Sequence, residues 1–465
     1  MMVMARVLIK EDLAAYRQTF LAYLAVGPIL SMGVGQGMYY FLPAEKERLR
    51  GRVTDGLTAL GVMGVGFALF IGLGGNEFLA RRFSNPQVAR LLLWLVPYVI
   101  ITIPATAAQS VMVARDRVLL ASVFGVVKQL AIGIATLIPL ILWKTADAPL
   151  IGNVVASVIM GSAGIALMIQ SAPGGNPMPT FGGIKELLTF TLPLAVGGMF
   201  GTISKTLDQL IVGFLCPPDE FAEYSLGAME LPMIGVITGS LTAVMLADMR
   251  KSIVANDHDE ALRLFRSVGE KSSLVMLPMM LFLLITAGTF IQYLFSSEFT
   301  ESAIPFRFYL TLLPIRTVVF GSLLMALGKN RFIMYRAFFG LVLNGIISTF
   351  LVWNYGPWGA VVATVATVYL WDVPASIYML ALVLGKSWHQ IMPFREMGKI
   401  FVDLIPVAIV SLIIAWFVEN IHIEFALIAI CFATFLIPYW NGRLYQYEAV
   451  KKKIANALKR QDPEV

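Results

Sequence analysis

The sequence predicts an all-α protein that crosses a membrane many times, and three observations carry that prediction. Of its 465 residues, 58% are hydrophobic and only 14% charged, against roughly 45–50% and 25% in an ordinary soluble domain. With a mean hydropathy of +0.77, too few polar side chains remain to cover a water-facing surface, which excludes a soluble enzyme. The apolar residues also gather into about thirteen runs, each near the roughly 20 residues that span a hydrocarbon core of about 30 Å. Finally, Lys and Arg concentrate in every second loop, as the loops of a polytopic protein do.

The runs lie near 19–42, 56–78, 90–113, 118–143, 148–171, 188–215, 225–247, 272–295, 304–327, 333–353, 358–384, 399–418 and 422–440. The links between them are short, and none is large enough for a folded soluble domain. One link, 172–187, is rich in Gly and Pro (Pro173, Gly174, Gly175, Pro177, Pro179), and it closes a block of five helices. The expected organisation is therefore an N-terminal bundle over 1–171, a linker over 172–187, a six-helix bundle over 188–384, and two further helices with a basic tail over 385–465. A faint repeat joins the bundles: Arg115-Asp116-Arg117 follows a run containing Pro97, and Lys329-Asn330-Arg331 follows one containing Pro314. Duplicated bundles are a common transporter plan.

Alternate loops carry 22 Lys and Arg on one side and 7 on the other. Because short positive loops stay in the cytoplasm, the C-terminus is expected there. Thirteen crossings then put the N-terminus outside, with no signal peptide to carry it. Either a preceding helix is missing or the N-terminal segment translocates unaided. Residues 1–18 read as an amphipathic interfacial stretch, with Val3, Val7, Leu8 and Leu13 apolar and Arg6, Lys10, Glu11, Asp12 and Arg17 polar.

Charges inside membrane helices are costly unless they face a bundle interior or water, so they are the default functional candidates. They are Lys128, Lys205, Asp208, Glu230, Arg307, Arg316, Arg336 and Asp372, a set in excess positive. Lys205 and Asp208 are three apart and share a helix face; they form either a structural ion pair or part of a binding cavity. Arg307 and Arg316, nine residues or two and a half turns apart, fall on opposite faces unless Pro305 or Pro314 bends the helix. Arg307 and Arg336 sit near run ends, where snorkelling to the interface competes with a cavity role. Lys128 lies deep beside Gln129. Asp372, flanked by Trp371 and Pro374, is a helix-break carboxylate or an arginine partner. The spacings Gly33 to Gly37 and Gly197 to Gly201 favour close helix packing.

No Walker loop, H-E-x-x-H or G-x-S-x-G motif is present, and Cys216 and Cys431 form no framework. No cofactor, metal or nucleic-acid partner is implied. Asp257-His258-Asp259 looks superficially like a metal-binding D-x-D of a glycosyltransferase, but a solvated helix start is the simpler reading. A cationic lumen suits an anionic substrate driven by ions or potential.

Three stretches carry a family resemblance: Thr189 to Leu194 through Asp208 to Gly213 and Phe221 to Ser225; Asn256 to Ala261 with Leu277-Pro278 and Tyr293 to Phe299; and Arg6 to Tyr16 with Gly37 to Pro43. They resemble the Wzx-type polysaccharide flippases of the multidrug/oligosaccharidyl-lipid/polysaccharide exporter superfamily. The resemblance implies two six-helix bundles around a cavity, and flipping of undecaprenyl-pyrophosphate-linked oligosaccharide across a bacterial inner membrane by alternating access. It places Lys128, Lys205 and Arg316 on the pyrophosphate or acidic sugars, with Asp208 setting the charge of Lys205 or carrying a proton. It also implies a neighbouring polymerase and glycosyltransferases. Aligned in this way, the chain lacks the family's first helix. The alternative within the superfamily is a drug or small-molecule cation antiporter, which depends on a carboxylate such as Asp208 or Asp372.

Overall fold

The computed structural model describes residues 1–43, 45, 47–229, 231, 234, 249 and 251–461, with the side chains of 193, 194, 197, 198, 201, 330 and 443–461 outside that set. Among the described residues every regular element is helical. Ten helices or helix pairs are long and apolar enough to cross a membrane, and a bent pair makes eleven. Ten predicted runs coincide with these spans and 304–327 with the bent pair. Run 188–215 lies within a 35-residue helix, Phe181–Leu215. Of run 225–247 only 225–229, 231 and 234 are described, and Glu230 lies outside the described residues.

Contacts divide the chain into two compact units, 1–226 with 334–367 and 227–333 with 368–465. The first begins with α1 (Met2–Val7), α2 (Lys10–Ser31) and α3 (Val34–Phe41). Of residues 1–18, Met4, Ala5, Leu8 and Leu13 are buried, because α1 packs on α8 and residues 10–18 open the first candidate span. The unit continues with α4 (Leu49–Phe70), a π-helical turn, α5 (Asn76–Arg82), α6 (Gln87–Ala105), α7 (Ala108–Ala114), α8 (Val118–Trp143), α9 (Asp147–Ser171), α10 (Phe181–Leu215) and most of α11 (Pro218–Gly227). Small residues decide how closely these helices approach. Gly33, left-handed at φ 65°, breaks the first span between α2 and α3, and a Cβ there would stand 3.0 Å from the Thr191 carbonyl of α10. One at Gly37 would meet the Thr191 methyl at 2.5 Å. The Gly33–Gly37 spacing thus serves close packing, as expected, and Gly197–Gly201 lies among the undescribed side chains.

The second unit contains α12 (His258–Ile285), α13 (Ala287–Leu294), a 3-10 turn, α14 (Ala303–Leu310), α15 (Leu313–Arg316), α16 (Phe320–Ala326) and the start of α17 (Asn330–Tyr355). The rest of α17 and α18 (Trp358–Thr367) belong to the first unit. After a π-helical turn (Val368–Asp372) follow α19 (Val373–Leu384), α20 (Trp388–Ile391), α21 (Phe394–Phe417) and α22 (Ile421–Gln461). Phe265, Leu277, Leu323, Ile400, Leu404 and Ile428 are among its buried core. Asp257 is the N-cap of α12, its side chain accepting the Glu260 amide at 2.9 Å. That is the helix-start role expected of this cluster. Gly385 ends α19 in the left-handed conformation. Ser387 and Gln390 then form a capping box for α20.

Of the two prolines that offered a bend, Pro305 and Pro314, the second lies beside one. The pair 297–310 and 313–326 turns by 46°, and Pro314 occupies the first turn of α15. The Ile315 amide bonds to Leu312 instead of Thr311, which releases the Thr311 carbonyl. The Tyr369 hydroxyl, from the π-helical turn, donates to it at 2.5 Å. A carbonyl freed at membrane depth is thereby satisfied by a side chain.

Candidate functional site: charges on the spans and at the bundle ends

Each unit keeps apart the loops that the charge count assigns to opposite faces. In the first, the Lys-rich face joins Arg52 to Glu186 at 2.8 Å, while on the other face Lys10 pairs with Glu223 at 2.5 Å and Arg90 with Asp147. In the second, Lys386 meets Asp259 at 2.7 Å and Arg266 meets Glu396 at 3.8 Å. At its other end Thr289 donates to Glu424 at 3.2 Å and Tyr293 contacts His422.

The Lys-rich end of the first unit is the more elaborate. Asp55, wholly buried on the first turns of α4, accepts the Thr180 amide at 2.7 Å and lies 3.6 Å from the Arg48 guanidinium. Thr180 is itself the N-cap of α10, so the carboxylate sits at the positive end of that helix. Arg48 also donates to the Met178 carbonyl, and the Arg50 amide to the Gly174 carbonyl. The Gly/Pro-rich linker is thus held on α4. Arg52 lies 4.7 Å over the Phe41 ring and 3.6 Å from Glu45. The Arg48 amide donates to Glu45 and, as the largest influence, holds its carboxyl below the usual range.

The candidates on the spans separate into distinct settings. Lys128 is half-buried on α8, which packs on α9, α7 and α1, whereas α10 packs on α2, α3, α4 and α18. Lys128 therefore does not share a helix contact with Lys205 and Asp208. The ion pair open between those two is not formed. Lys205 is exposed, and Asp208 is buried with its Oδ2 accepting the Tyr224 hydroxyl of α11 at 2.8 Å. In the second unit Arg307 is exposed on α14, Arg316 is half-buried at the end of α15, and Asp372 is half-buried at the end of the π-helical turn. The Asp372 carbonyl accepts the Ser376 hydroxyl at 2.6 Å.

Sequence reasoning missed two features. Arg17, expected in an amphipathic interfacial stretch, lies within the first candidate span, next in sequence to Tyr16 of an aromatic group with Phe20, Tyr23 and Tyr98. The available signal was that polar residues continue only to Gln18 while the helix begins at Lys10. Buried Gln18 also accepts from Asn85 at 2.9 Å, an amide pair that no local motif announces. Among the described residues no group of three or more His, Cys, Asp or Glu is placed to hold a metal.

No curated protein matches the chain. In fold it is similar to a "Lipid II flippase MurJ, inward closed conformation", with a TM-score of 0.74 at 15% identity over 95% of this chain and 97% of that one. It is similar also to an inward-facing multidrug resistance MATE family transporter of the MOP superfamily, with a TM-score of 0.64 at 13% identity over 81% and 92%. The profile of the family described as "Polysaccharide biosynthesis protein" matches residues 3–304, and the chain is a multi-pass helical membrane protein that belongs to that family.

Proposed function

We propose that this protein moves a lipid-linked oligosaccharide with an anionic pyrophosphate headgroup across a bacterial inner membrane by alternating access, with its C-terminus in the cytoplasm. The observation that carries this reading is the set of cationic side chains within the apolar runs, Lys128, Lys205, Arg307, Arg316 and Arg336. An anionic headgroup in a membrane interior needs such partners, and an inside-negative potential assists its outward movement by about 2.3 kcal/mol per charge per 100 mV. Membership of a polysaccharide biosynthesis family agrees with a glycan cargo. Lys128 and Lys205 in the first unit and Arg316 in the second are the cations this reading assigns to the headgroup, each within its own unit, and Asp208, whose carboxylate accepts the Tyr224 hydroxyl, carries a proton or tunes the local charge.

The test is transbilayer movement in proteoliposomes. A fluorescent undecaprenyl-pyrophosphate oligosaccharide in the inner leaflet becomes accessible to external periodate only when it is flipped. Wild-type protein is expected to accelerate that exposure, and Arg316→Ala to slow it about tenfold, as loss of one charge-assisted contact of about 1.5 kcal/mol requires. Wild-type rates in Arg316→Ala and Lys205→Ala would remove both residues from the site. Transport of a cationic drug that is abolished in Asp208→Asn would instead establish the antiporter.

A further inference from the structure

On the sparsely charged face, Arg81 and Arg82 at the end of α5 and Arg90 on α6 are three of the seven Lys and Arg, as many as residues 1–18 supply. Arg90 is spoken for by Asp147. Arg81 and Arg82 line a cavity of about 500 Å³ with Phe78, Ile211, Phe214 and Leu215. Among the described residues no carboxylate lines it. Arg81 has an exposed partner at 3.4 Å in Glu77, a solvent-screened pair of little strength, while Arg82 stacks 5.6 Å from the Phe78 ring centroid.

The cavity is also built firmly. Ser84, a lining residue, is held at φ 49°, a left-handed conformation that a non-glycine residue adopts at a cost. The turn is fixed from beneath: the Asn85 amide donates to the Ala80 carbonyl at 3.0 Å, the Asn85 side chain to Gln18, and the Gln18 side chain to the Phe83 carbonyl. Phe83 is fully buried against Phe214, with ring centroids 4.9 Å apart. Two guanidinium groups are therefore presented from a pinned turn onto an apolar wall.

We propose that this cavity is an exit site, which receives the pyrophosphate of a polyprenyl lipid at the extracytoplasmic face while its chain lies along Phe78, Phe214 and Leu215. The inference rests on the transport reading above and adds the place where the product leaves. Guanidinium forks match phosphate oxygens bidentately, and the apolar wall distinguishes a lipid-anchored phosphate from a free one. Phe78 and Leu215 are exposed, as residues that meet an acyl or prenyl chain must be.

The experiment uses the full chain in proteoliposomes with a diazirine-bearing undecaprenyl pyrophosphate, with crosslinks mapped to peptides. Wild-type protein is expected to be labelled within 78–84 and 211–215. The double variant Arg81→Gln/Arg82→Gln is expected to lose about nine-tenths of that labelling, and Arg81→Lys/Arg82→Lys to retain most of it, with thermal stability equal in all three. Undiminished labelling in the Gln variant overturns the proposal. So does equal competition by inorganic pyrophosphate, which marks a soluble-anion site, or by phosphatidylglycerol, which marks a general lipid site. Wild-type flipping without labelling at these peptides defeats the exit site and leaves the transport reading standing, whereas loss of both defeats both.

Discussion

Gly152→Ala is expected to prevent the first unit from folding, or to leave it without α8 in place. A Cβ at residue 152 would stand 1.7 Å from the Ala135 carbonyl oxygen and 2.7 Å from its carbonyl carbon. Side chains yield to a crowding methyl, but here the obstacle is main chain, and relief means moving two helices apart. The separation would be felt along the whole contact, since α8 presents most of its surface outward and is held chiefly by α9. Dispersion contacts fall off steeply with distance, so the cost belongs at the upper end of overpacking, about 3 kcal/mol or more. Gly133→Ala on α8 provides the internal control: nothing lies within 4 Å of its Cβ position, and removal of a helical glycine there is expected to be neutral or stabilising. Monodispersity and thermal stability in detergent read both. A Gly152→Ala protein that melts with wild type would show that the two helices approach less closely than described.

Asp55→Ala is expected to destabilise the first unit by about 2–3 kcal/mol and to free the 172–180 segment. Its carboxylate is wholly buried, and its loss strands the Thr180 amide and leaves Arg48 without its ion-pair partner. Unpaired buried polar groups cost more than the interaction they once made. Asp55→Asn keeps an acceptor for the amide but drops the charge, and is expected to fall between. Because Arg48 remains partly exposed, water recovers some of its solvation, which keeps the effect below that of a fully buried pair. Hydrogen exchange resolves the two elements: amides 174–183 should exchange faster in Asp55→Ala while those of α6 do not. Unchanged protection at 174–183 would show that the linker is held by other contacts. Gly183→Ala should behave similarly, since its Cβ would stand 2.0 Å from the Asp55 Oδ2.

Much of this architecture was legible in residue order because lipid imposes simple constraints. Run length gave the spans, and the Lys and Arg count gave the grouping of loops that the ion pairs of each unit reproduce. Pro305 and Pro314 both offered a bend, since a missing N–H is a local property, and the break lies beside Pro314. What remained hidden depends on residues distant in the chain. The linker stood out only for its Gly and Pro, whereas Asp55, 125 residues away from Thr180, holds it. The partner of Asp208 followed the same pattern. Helical spacing offered Lys205 one turn away, but the carboxylate took the phenol of Tyr224 on the next helix, and Lys205 is exposed. Arg17 was concealed by the gradual passage from polar to apolar along α2.

The Tyr369 hydroxyl on the Thr311 carbonyl also bears on how such chains diverge. A sequence that retains proline at 314 has a main-chain acceptor to satisfy in hydrocarbon, and a sequence that straightens the span does not. The two positions are therefore expected to drift as a pair across descendants: loss of the phenol is tolerated where the proline has gone first, and selected against where it has not. An alignment of relatives deep enough to count the four combinations would reveal the dependence as a deficit of one of them.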